Sequence, residues 1–160
     1  IPLPSGMSLA QKLERPLYTP SSKAPAGEHD TNISFAETKL LVGENLANEI
    51  KEKSMEIYNF ATSHAIGRGI IIADTKFEFG LDTNNQLTLM DEVLTPDSSR
   101  FWPKAEYQAG TNPKSYDKQI IRDYLETLDW DKAPPAPILP NDILTKTAKK
   151  YEEVQALLCS

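Results

Sequence analysis

The sequence of 160 residues has little of several features that mark whole classes of protein. Its single cysteine, Cys159, cannot form a disulfide within the chain, which excludes a small disulfide-stabilised scaffold. Lysine and arginine number 17 against 23 acidic residues, and the net charge of −6 argues against a nucleic-acid-binding surface. No apolar run approaches the roughly 20 residues that a membrane-spanning helix needs. We therefore expect a cytoplasmic protein whose partners include neither nucleic acid nor a membrane.

Proline and periodicity divide the chain into three segments. Residues 1–33 hold many of the 12 prolines and predict an extended, turn-rich segment. Residues 34–112 combine helical patterns with alternating ones, and residues 113–160 are mainly helical in pattern. With 39% hydrophobic and 8% aromatic residues, the chain can bury one moderate core.

Four helices are predicted from capping signals and apolar stripes. Ser34 and Glu37 have the capping-box spacing and begin a short helix that ends at Gly43. A longer helix follows over residues 44–66, with apolar positions three to four residues apart. Ser115 is the expected N-cap of a helix over residues 115–128, and a last helix runs from Asn141 or Asp142 to about residue 158.

A buried strand that becomes charged is the most informative stretch. The apolar residues 70–73 are followed by Asp-Thr-Lys-Phe-Glu-Phe at residues 74–79. Because side chains alternate along a strand, a continuous strand would place Asp74, Lys76 and Glu78 on one face. Such a run is also what an ordinary solvated sheet face looks like, so spacing alone leaves both interpretations open.

The next residues predict a hairpin that adds Asp91 to this face. A two-residue loop at 84–85 would put Asp91 opposite Glu78, and a four-residue loop at 82–85 would put it opposite Lys76. Facing carboxylates repel each other unless a cation lies between them, and hard oxygen ligands suit Mg²⁺. A neighbouring lysine ammonium can hold phosphate. Together these residues suggest nucleotide-phosphate chemistry.

Three cations outside the hairpin are further candidates. The turn at residues 95–99 delivers Arg100, a guanidinium able to grip phosphate or carboxylate with two hydrogen bonds. Lys118 and Arg122 lie one turn apart on the third predicted helix. On residue type alone, each of the three also fits an ordinary solvated surface residue.

Residue identity in six blocks resembles one family. The string at residues 71–80, Ile-Ile-Ala-Asp-Thr-Lys-Phe-Glu-Phe-Gly, is similar to a signature of the SAICAR synthetase family. Five other blocks agree in order and spacing: Ser-Leu-Ala-Gln-Lys-Leu at 8–13, Thr-Pro-Ser-Ser-Lys-Ala at 19–24, Gly-Glu-His-Asp-Thr-Asn-Ile-Ser-Phe at 27–35, Leu-Thr-Pro-Asp-Ser-Ser-Arg-Phe-Trp at 94–102 and Ser-Tyr-Asp-Lys-Gln at 115–119. The likeness runs along the whole chain.

The resemblance implies a fold and an activity. The implied fold is α+β, an antiparallel sheet with packed helices like the second lobe of SAICAR synthetase and ATP-grasp-like enzymes, plus C-terminal helices. The implied function is an ATP- and Mg²⁺-dependent ligase that joins L-aspartate to carboxyaminoimidazole ribonucleotide through an acyl phosphate. The family's N-terminal nucleotide-binding lobe has no counterpart here, so we expect this chain to be the C-terminal half of a larger polypeptide and inactive alone.

The resemblance also assigns roles to individual side chains. Glu78 and Asp91 would hold Mg²⁺, Lys76 would neutralise the transferring phosphate, and Asp74 would orient Lys76 or the substrate amine. The implied substrate-binding residues are Arg100 and Ser99 for the ribonucleotide, His29 and Asp30 in a cleft loop, and Lys118 and Arg122 at the cleft border.

Two other functions are weighed beside this one. A metal-dependent nuclease also uses acidic residues and a lysine on a hairpin, but its lysine usually follows the second acid, and the chain lacks a basic surface. The chain could also serve as a non-catalytic interaction module.

Overall fold

The computed structural model describes residues 4–24, 30–116 and 118–160. In these ranges the strands pair only two by two, as the antiparallel ribbons β1–β2, β3–β6 and β4–β5. The α+β class and the antiparallel pairing are confirmed, whereas the expected sheet is divided into separate ribbons. In chain order the elements are β1 Ser21–Ser22, β2 Thr31–Asn32, α1 Phe35–Val42, α2 Glu44–Gly67, β3 Ile70–Thr75, β4 Glu78–Leu81, β5 Leu87–Met90, β6 Ser99–Pro103, a 3₁₀ turn Lys104–Glu106, α3 Gln119–Glu126 and α4 Asn141–Leu158.

The chain forms two compact units, and each unit is built from three segments of the chain. Unit 1 comprises Ile1–Phe60, Phe77–Asp91 and Ala109–Thr111, and unit 2 comprises Ala61–Lys76, Glu92–Gln108 and Asn112–Ser160. The three segments predicted from composition follow the chain order, while each unit draws on pieces that are distant in sequence. The chain leaves unit 2 after Lys76 and enters unit 1 at Phe77.

Local signals define the start and the end of α1. The Ser34 hydroxyl accepts the Glu37 N–H at 3.1 Å, and the Glu37 carboxylate accepts the Ser34 N–H at 2.7 Å, so the predicted capping box is confirmed. Gly43 follows α1 with φ 85°, a conformation that glycine adopts without a Cβ clash. Against the start of α1, the ring of Phe35 packs edge-on to Tyr18 at 5.9 Å, and burial raises the pKa of Tyr18.

The core of unit 2 is built on β3 and β6. Ile70 and Ile72 of β3 and Phe101 of β6 are buried, and Ile72 is the ladder partner of Phe101. The Phe101 carbonyl accepts the Tyr116 N–H at 2.9 Å and the Ser115 hydroxyl at 3.2 Å, which fixes the following segment to the strand. Because the Ser115 hydroxyl donates to the Phe101 carbonyl, it does not cap a helix, and the third helix begins later than predicted.

The C-terminal helices are amphipathic. Helix α3 covers only Gln119–Glu126, while α4 covers Asn141–Leu158, close to its predicted range. Val154 of α4 is buried, and the Tyr116 hydroxyl donates to the Glu153 carboxylate at 3.2 Å. Burial, reinforced by the Glu153 charge, raises the pKa of Tyr116. Among the residues described, none of the helices has the length and apolar character needed to cross a membrane.

Replacement of Phe101 by alanine tests the assignment of the core. Phe101 is 0% exposed and Phe60 is 76% exposed. We expect Phe101→Ala to lower the free energy of unfolding by about 3–5 kcal/mol through lost burial and a residual cavity. The matched Phe60→Ala change should stay within about 0.5 kcal/mol. Thermal unfolding of the intact protein measures both, and equal effects would contradict this core.

Candidate active site

The charged stretch is two strands and not one. β3 ends at Thr75, Lys76 and Phe77 belong to no strand, and Glu78 begins β4 in a different ribbon. The single strand predicted to display Asp74, Lys76 and Glu78 on one face is therefore wrong. The physical reason lies in the partners: β3 pairs with β6, and β4 pairs with β5.

A bulge in β3 decides where Asp74 points. Ile72 pairs with Phe101 and Asp74 pairs with Arg100, so Ala73 is an extra residue on β3. Strict alternation would place Asp74 on the buried face of Ile70 and Ile72, but the extra residue turns it to the exposed face. Bulges of this kind re-aim side chains, and this one makes the Asp74 carboxylate accessible.

The hairpin β4–β5 has an odd-numbered turn. The Asn85 N–H donates to the Asp82 carbonyl at 3.0 Å, the Asp82 N–H donates to the Gln86 carbonyl at 3.0 Å, and Asn85 has φ 59°. This is a three-residue turn with a left-handed last residue, which neither predicted loop length allowed for. The Asp82 carboxylate accepts the Gln86 and Asn84 N–H groups, each at 2.8 Å, and these bonds, led by that of Gln86, hold its pKa below the usual range.

The odd turn changes the partner of Glu78. Glu78 pairs with Met90, so the prediction that Asp91 lies opposite Glu78 or Lys76 is wrong. Asp91 follows the last residue of β5 and has φ 63°, which takes it out of the strand pleat. Glu78 and Asp91 still lie at the same end of the ribbon, because β4 begins where the antiparallel β5 ends.

Glu78 has a cationic partner within unit 1. Lys23 forms a direct ion pair with the Glu78 carboxylate. The Glu78 side chain is 13% exposed and that of Lys23 is 73% exposed, so a largely buried carboxylate is paired with a largely solvated ammonium. Met90 lies on the same face of the ribbon as Glu78. Its side chain is so close to Gly80 that a Cβ added to Gly80 would lie 2.7 Å from the Met90 Sδ.

The end of the β3–β6 ribbon in unit 2 carries a second polar cluster. The Arg100 guanidinium lies 3.3 Å from the Asp74 carboxylate, and both side chains are more than half exposed. The neighbouring ladder pair is Thr75 and Ser99, whose hydroxyls are 2.8 Å apart. Ser99 is buried, so its hydroxyl helps to fix the strand pair beneath the exposed Arg100.

The turn before β6 adds hydroxyls and an ion pair to this cluster. The Thr95 hydroxyl accepts the N–H groups of Asp97 and Ser98, each at 3.2 Å, and the Ser98 hydroxyl accepts the Thr95 N–H at 3.1 Å. Asp97 forms an ion pair with Lys118, the residue that precedes α3. This ion pair brings Lys118 to the turn that precedes Arg100.

The remaining predicted site residues are His29, Asp30 and Arg122. His29 lies outside the described residues. The carboxylate of Asp30 accepts the Ala24 N–H at 3.0 Å, a role in backbone structure. Arg122 is exposed on α3, and its N–H donates to the Lys118 carbonyl at 2.9 Å.

Sequence reasoning missed Lys23, Asp97 and the hydroxyls of Thr95 and Ser98. All four lie inside blocks that carry the family resemblance, so their residue types were visible. Their roles were not, because an ion pair between Lys23 and Glu78 joins residues 55 positions apart. Among the described residues, no group of three or more His, Cys, Asp or Glu is arranged to hold a metal ion. A magnesium site with one or two carboxylates does not need such a group, since substrate phosphates and water fill the other positions.

The fold and these side chains indicate to which class of protein the chain belongs. An α+β chain that carries a guanidinium, hydroxyls, lysines and carboxylates at its strand ends has the groups that enzymes use on phosphorylated ligands. Comparison with known proteins then identifies the family. The model of the SAICAR synthetase family matches residues 2–137, and the chain belongs to that family.

Individual relatives agree with this assignment. The chain is 57% identical over 156 residues to the phosphoribosylaminoimidazole-succinocarboxamide synthase of Pasteurella multocida, covering 98% of this chain and 54% of the relative. It is 56% identical to the synthase of Neisseria meningitidis serogroup A, of which it covers 55%. A structure of SAICAR-synthase from Saccharomyces cerevisiae complexed with SAICAR superposes with a TM-score of 0.84 at 43% identity, covering 98% of this chain and 51% of that one. The chain thus spans about half the length of the relatives that it matches.

The left-handed turn residue gives a test of the hairpin register. We expect Asn85→Val to destabilise the hairpin by about 1–2 kcal/mol, because a β-branched residue is strained at positive φ. Thr83→Val is the matched control and should have a much smaller effect, since Thr83 is exposed and does not have a positive φ. Hydrogen exchange of the segment 78–90 in the complete protein measures both. Equal exchange in the two variants would rule out the odd-numbered turn.

Proposed function

We propose that this chain supplies part of the active site of an ATP-dependent ligase, phosphoribosylaminoimidazole-succinocarboxamide synthase. The observation that supports it most directly is 57% identity over 98% of the chain to an enzyme of that name. The other half of the relatives' length would provide the nucleotide-binding lobe. Family membership leaves the nuclease alternative without support, and the cytoplasm is the compartment that the sequence predicts.

The proposed reaction proceeds in two steps. The carboxylate of carboxyaminoimidazole ribonucleotide would attack the γ-phosphorus of ATP, giving an acyl phosphate and ADP. The amine of L-aspartate would then attack the acyl carbon, phosphate would leave, and the amine would lose a proton as the amide forms. Structures of relatives complexed with SAICAR and with ADP support a product and a nucleotide of these kinds.

The cluster in unit 2 would bind the ribonucleotide phosphate. Arg100 is exposed and can offer two parallel N–H donors to a phosphate, as a planar guanidinium does. The ion pair with Asp74 would hold that guanidinium at one edge, and Asp74 stays a candidate for orienting Lys76 or the substrate amine. Lys118 and the Thr95 turn would add charge and hydroxyl donors, while Ser99 would act by fixing β6.

Lys76 would neutralise the charge of the transferring phosphoryl group. It is exposed, and its backbone N–H donates to the Ser98 carbonyl at 2.9 Å, which anchors the chain at that point. An anchored backbone with an exposed ammonium is suited to a group that must meet phosphate oxygens in a defined position.

Glu78 and Asp91 would hold Mg²⁺. Both are carboxylates at one end of the β4–β5 ribbon, and hard oxygen donors of this number fit a magnesium ion that also binds substrate phosphates. The ion would neutralise phosphate charge when bound. His29 and Asp30 stay candidates for placing the amino-acid substrate, and Arg122 stays a candidate at the cleft border.

Loss of Lys76 or Glu78 tests the proposal. In a coupled ADP-release assay on the complete protein, we expect Lys76→Ala and Glu78→Gln each to lower turnover at least about a hundredfold, or roughly 2.7 kcal/mol of transition-state stabilisation. Lys149→Ala and Glu14→Gln change exposed residues of the same types and should leave turnover unchanged. Near-normal turnover in both test variants would remove these residues from the site.

A separate substitution addresses the ribonucleotide. Arg100→Met should raise the KM for carboxyaminoimidazole ribonucleotide by about 10- to 100-fold, since a charge-assisted hydrogen bond contributes about 1.5–3 kcal/mol. The KM for ATP should change little, and steady-state kinetics with each substrate varied in turn measure both. An effect confined to the KM for ATP would place Arg100 at the nucleotide instead.

A further inference from the structure

Resting on the proposed function, we propose that Lys23 is an exchangeable counter-ion of the metal-binding carboxylate Glu78. Its ammonium neutralises Glu78 while no divalent cation is bound, and it leaves that carboxylate when the cation arrives. Lys23 is thus a positioning residue that sets the affinity of the site for the cation. It is not itself a ligand.

The backbone on either side of Lys23 is anchored. Ser22 is paired with Thr31 in the β1–β2 ladder, and its hydroxyl donates to the Thr31 carbonyl at 3.4 Å. On the other side, the Ala24 N–H donates to the Asp30 carboxylate at 3.0 Å. The stem of Lys23 therefore starts from a fixed point close to Glu78.

The Lys23 side chain is far more exposed than the Glu78 side chain. At 73% exposure, the Lys23 side chain gives up little burial when its ammonium leaves the carboxylate, and water solvates the released charge. Glu78 is 13% exposed, so its negative charge is poorly solvated and needs a cation close by. The carboxylate is the fixed partner of the pair, and the ammonium is the replaceable one.

A divalent cation and the Lys23 ammonium compete for the same carboxylate. Both are positive, and two cations within about 4 Å of each other repel. Binding of the cation to Glu78 therefore includes the cost of breaking the ion pair. An ion pair with one exposed partner contributes about 1 kcal/mol at most, which corresponds to a factor of about five in affinity.

The first test measures binding of Mn²⁺ alone to the complete protein, without nucleotide, by the electron paramagnetic resonance signal of free Mn²⁺. Lys23→Met and Lys23→Gln should each bind Mn²⁺ about fivefold more tightly than wild type. Lys23→Arg keeps the charge and should restore the wild-type affinity. Glu78→Gln should lose most of the binding. An Mn²⁺ affinity unchanged or weakened in both neutral variants would overturn the counter-ion role.

The Glu78→Gln arm separates this inference from the function on which it rests. Loss of Mn²⁺ binding in Glu78→Gln with no gain in the Lys23 variants overturns the counter-ion role alone. Equal binding by wild type and Glu78→Gln removes the metal from Glu78, and the counter-ion role falls with it, whereas the ligase function is tested separately by the ADP-release assay.

The second test needs no substitution at Lys23. In wild type, Mg²⁺ should raise the rate at which acetic anhydride labels the Lys23 amine, measured by mass spectrometry, because an amine that is no longer held against a carboxylate is more accessible to the reagent. The exposed Lys149 should be labelled at the same rate with and without Mg²⁺. Labelling of Lys23 that is insensitive to Mg²⁺ would contradict the exchange.

Discussion

The bulge at Ala73 is the constraint on which the polar cluster of unit 2 depends. The register of β3 on β6 is set by the buried pair Ile72 and Phe101, and the extra residue then advances β3 by one position. Asp74 is thereby turned from the buried face to the exposed face, opposite Arg100. A regular ladder would have put a carboxylate among the core isoleucines at a cost of several kcal/mol. The accessibility of Asp74 is therefore a consequence of one irregularity in the strand.

The helices could be predicted from the sequence because their signals are local. The capping box of Ser34 and Glu37 involves residues three positions apart, and the apolar stripe of α2 repeats within each turn. The third helix shows the limit of such signals. Ser115 has the residue type of an N-cap, but its hydroxyl donates to Phe101, 14 residues earlier in the chain, and α3 begins later. A long-range hydrogen bond of the Ser115 side chain thus takes the place of the local cap that its residue type favours.

Strand pairing could not be predicted in detail, because it depends on backbone geometry that residue types only weakly specify. The alternation of residues 70–79 indicates one strand, yet Thr75 and Glu78 belong to ribbons with different partners. The hairpin was predicted correctly, but the left-handed Asn85 adds one residue to the turn and moves Asp91 away from Glu78's ladder position. The candidate residues at 74, 76, 78 and 100 came from residue type and pattern, and the resemblance added their roles. The geometry that connects Arg100 to Asp74 came only from the structure.

Three candidate binding groups already form an ion pair with a residue of their own unit. Arg100 is paired with Asp74, Lys118 with Asp97, and Glu78 with Lys23. A ligand that replaces the partner of such a group gains the difference between two interactions and not the full strength of the new one. For Glu78, whose side chain is 13% exposed, the pair also keeps a largely buried charge compensated. This pairing also favours ligands of high charge, such as a phosphate or a divalent cation, over singly charged ones, because only a stronger partner displaces the pair that is present.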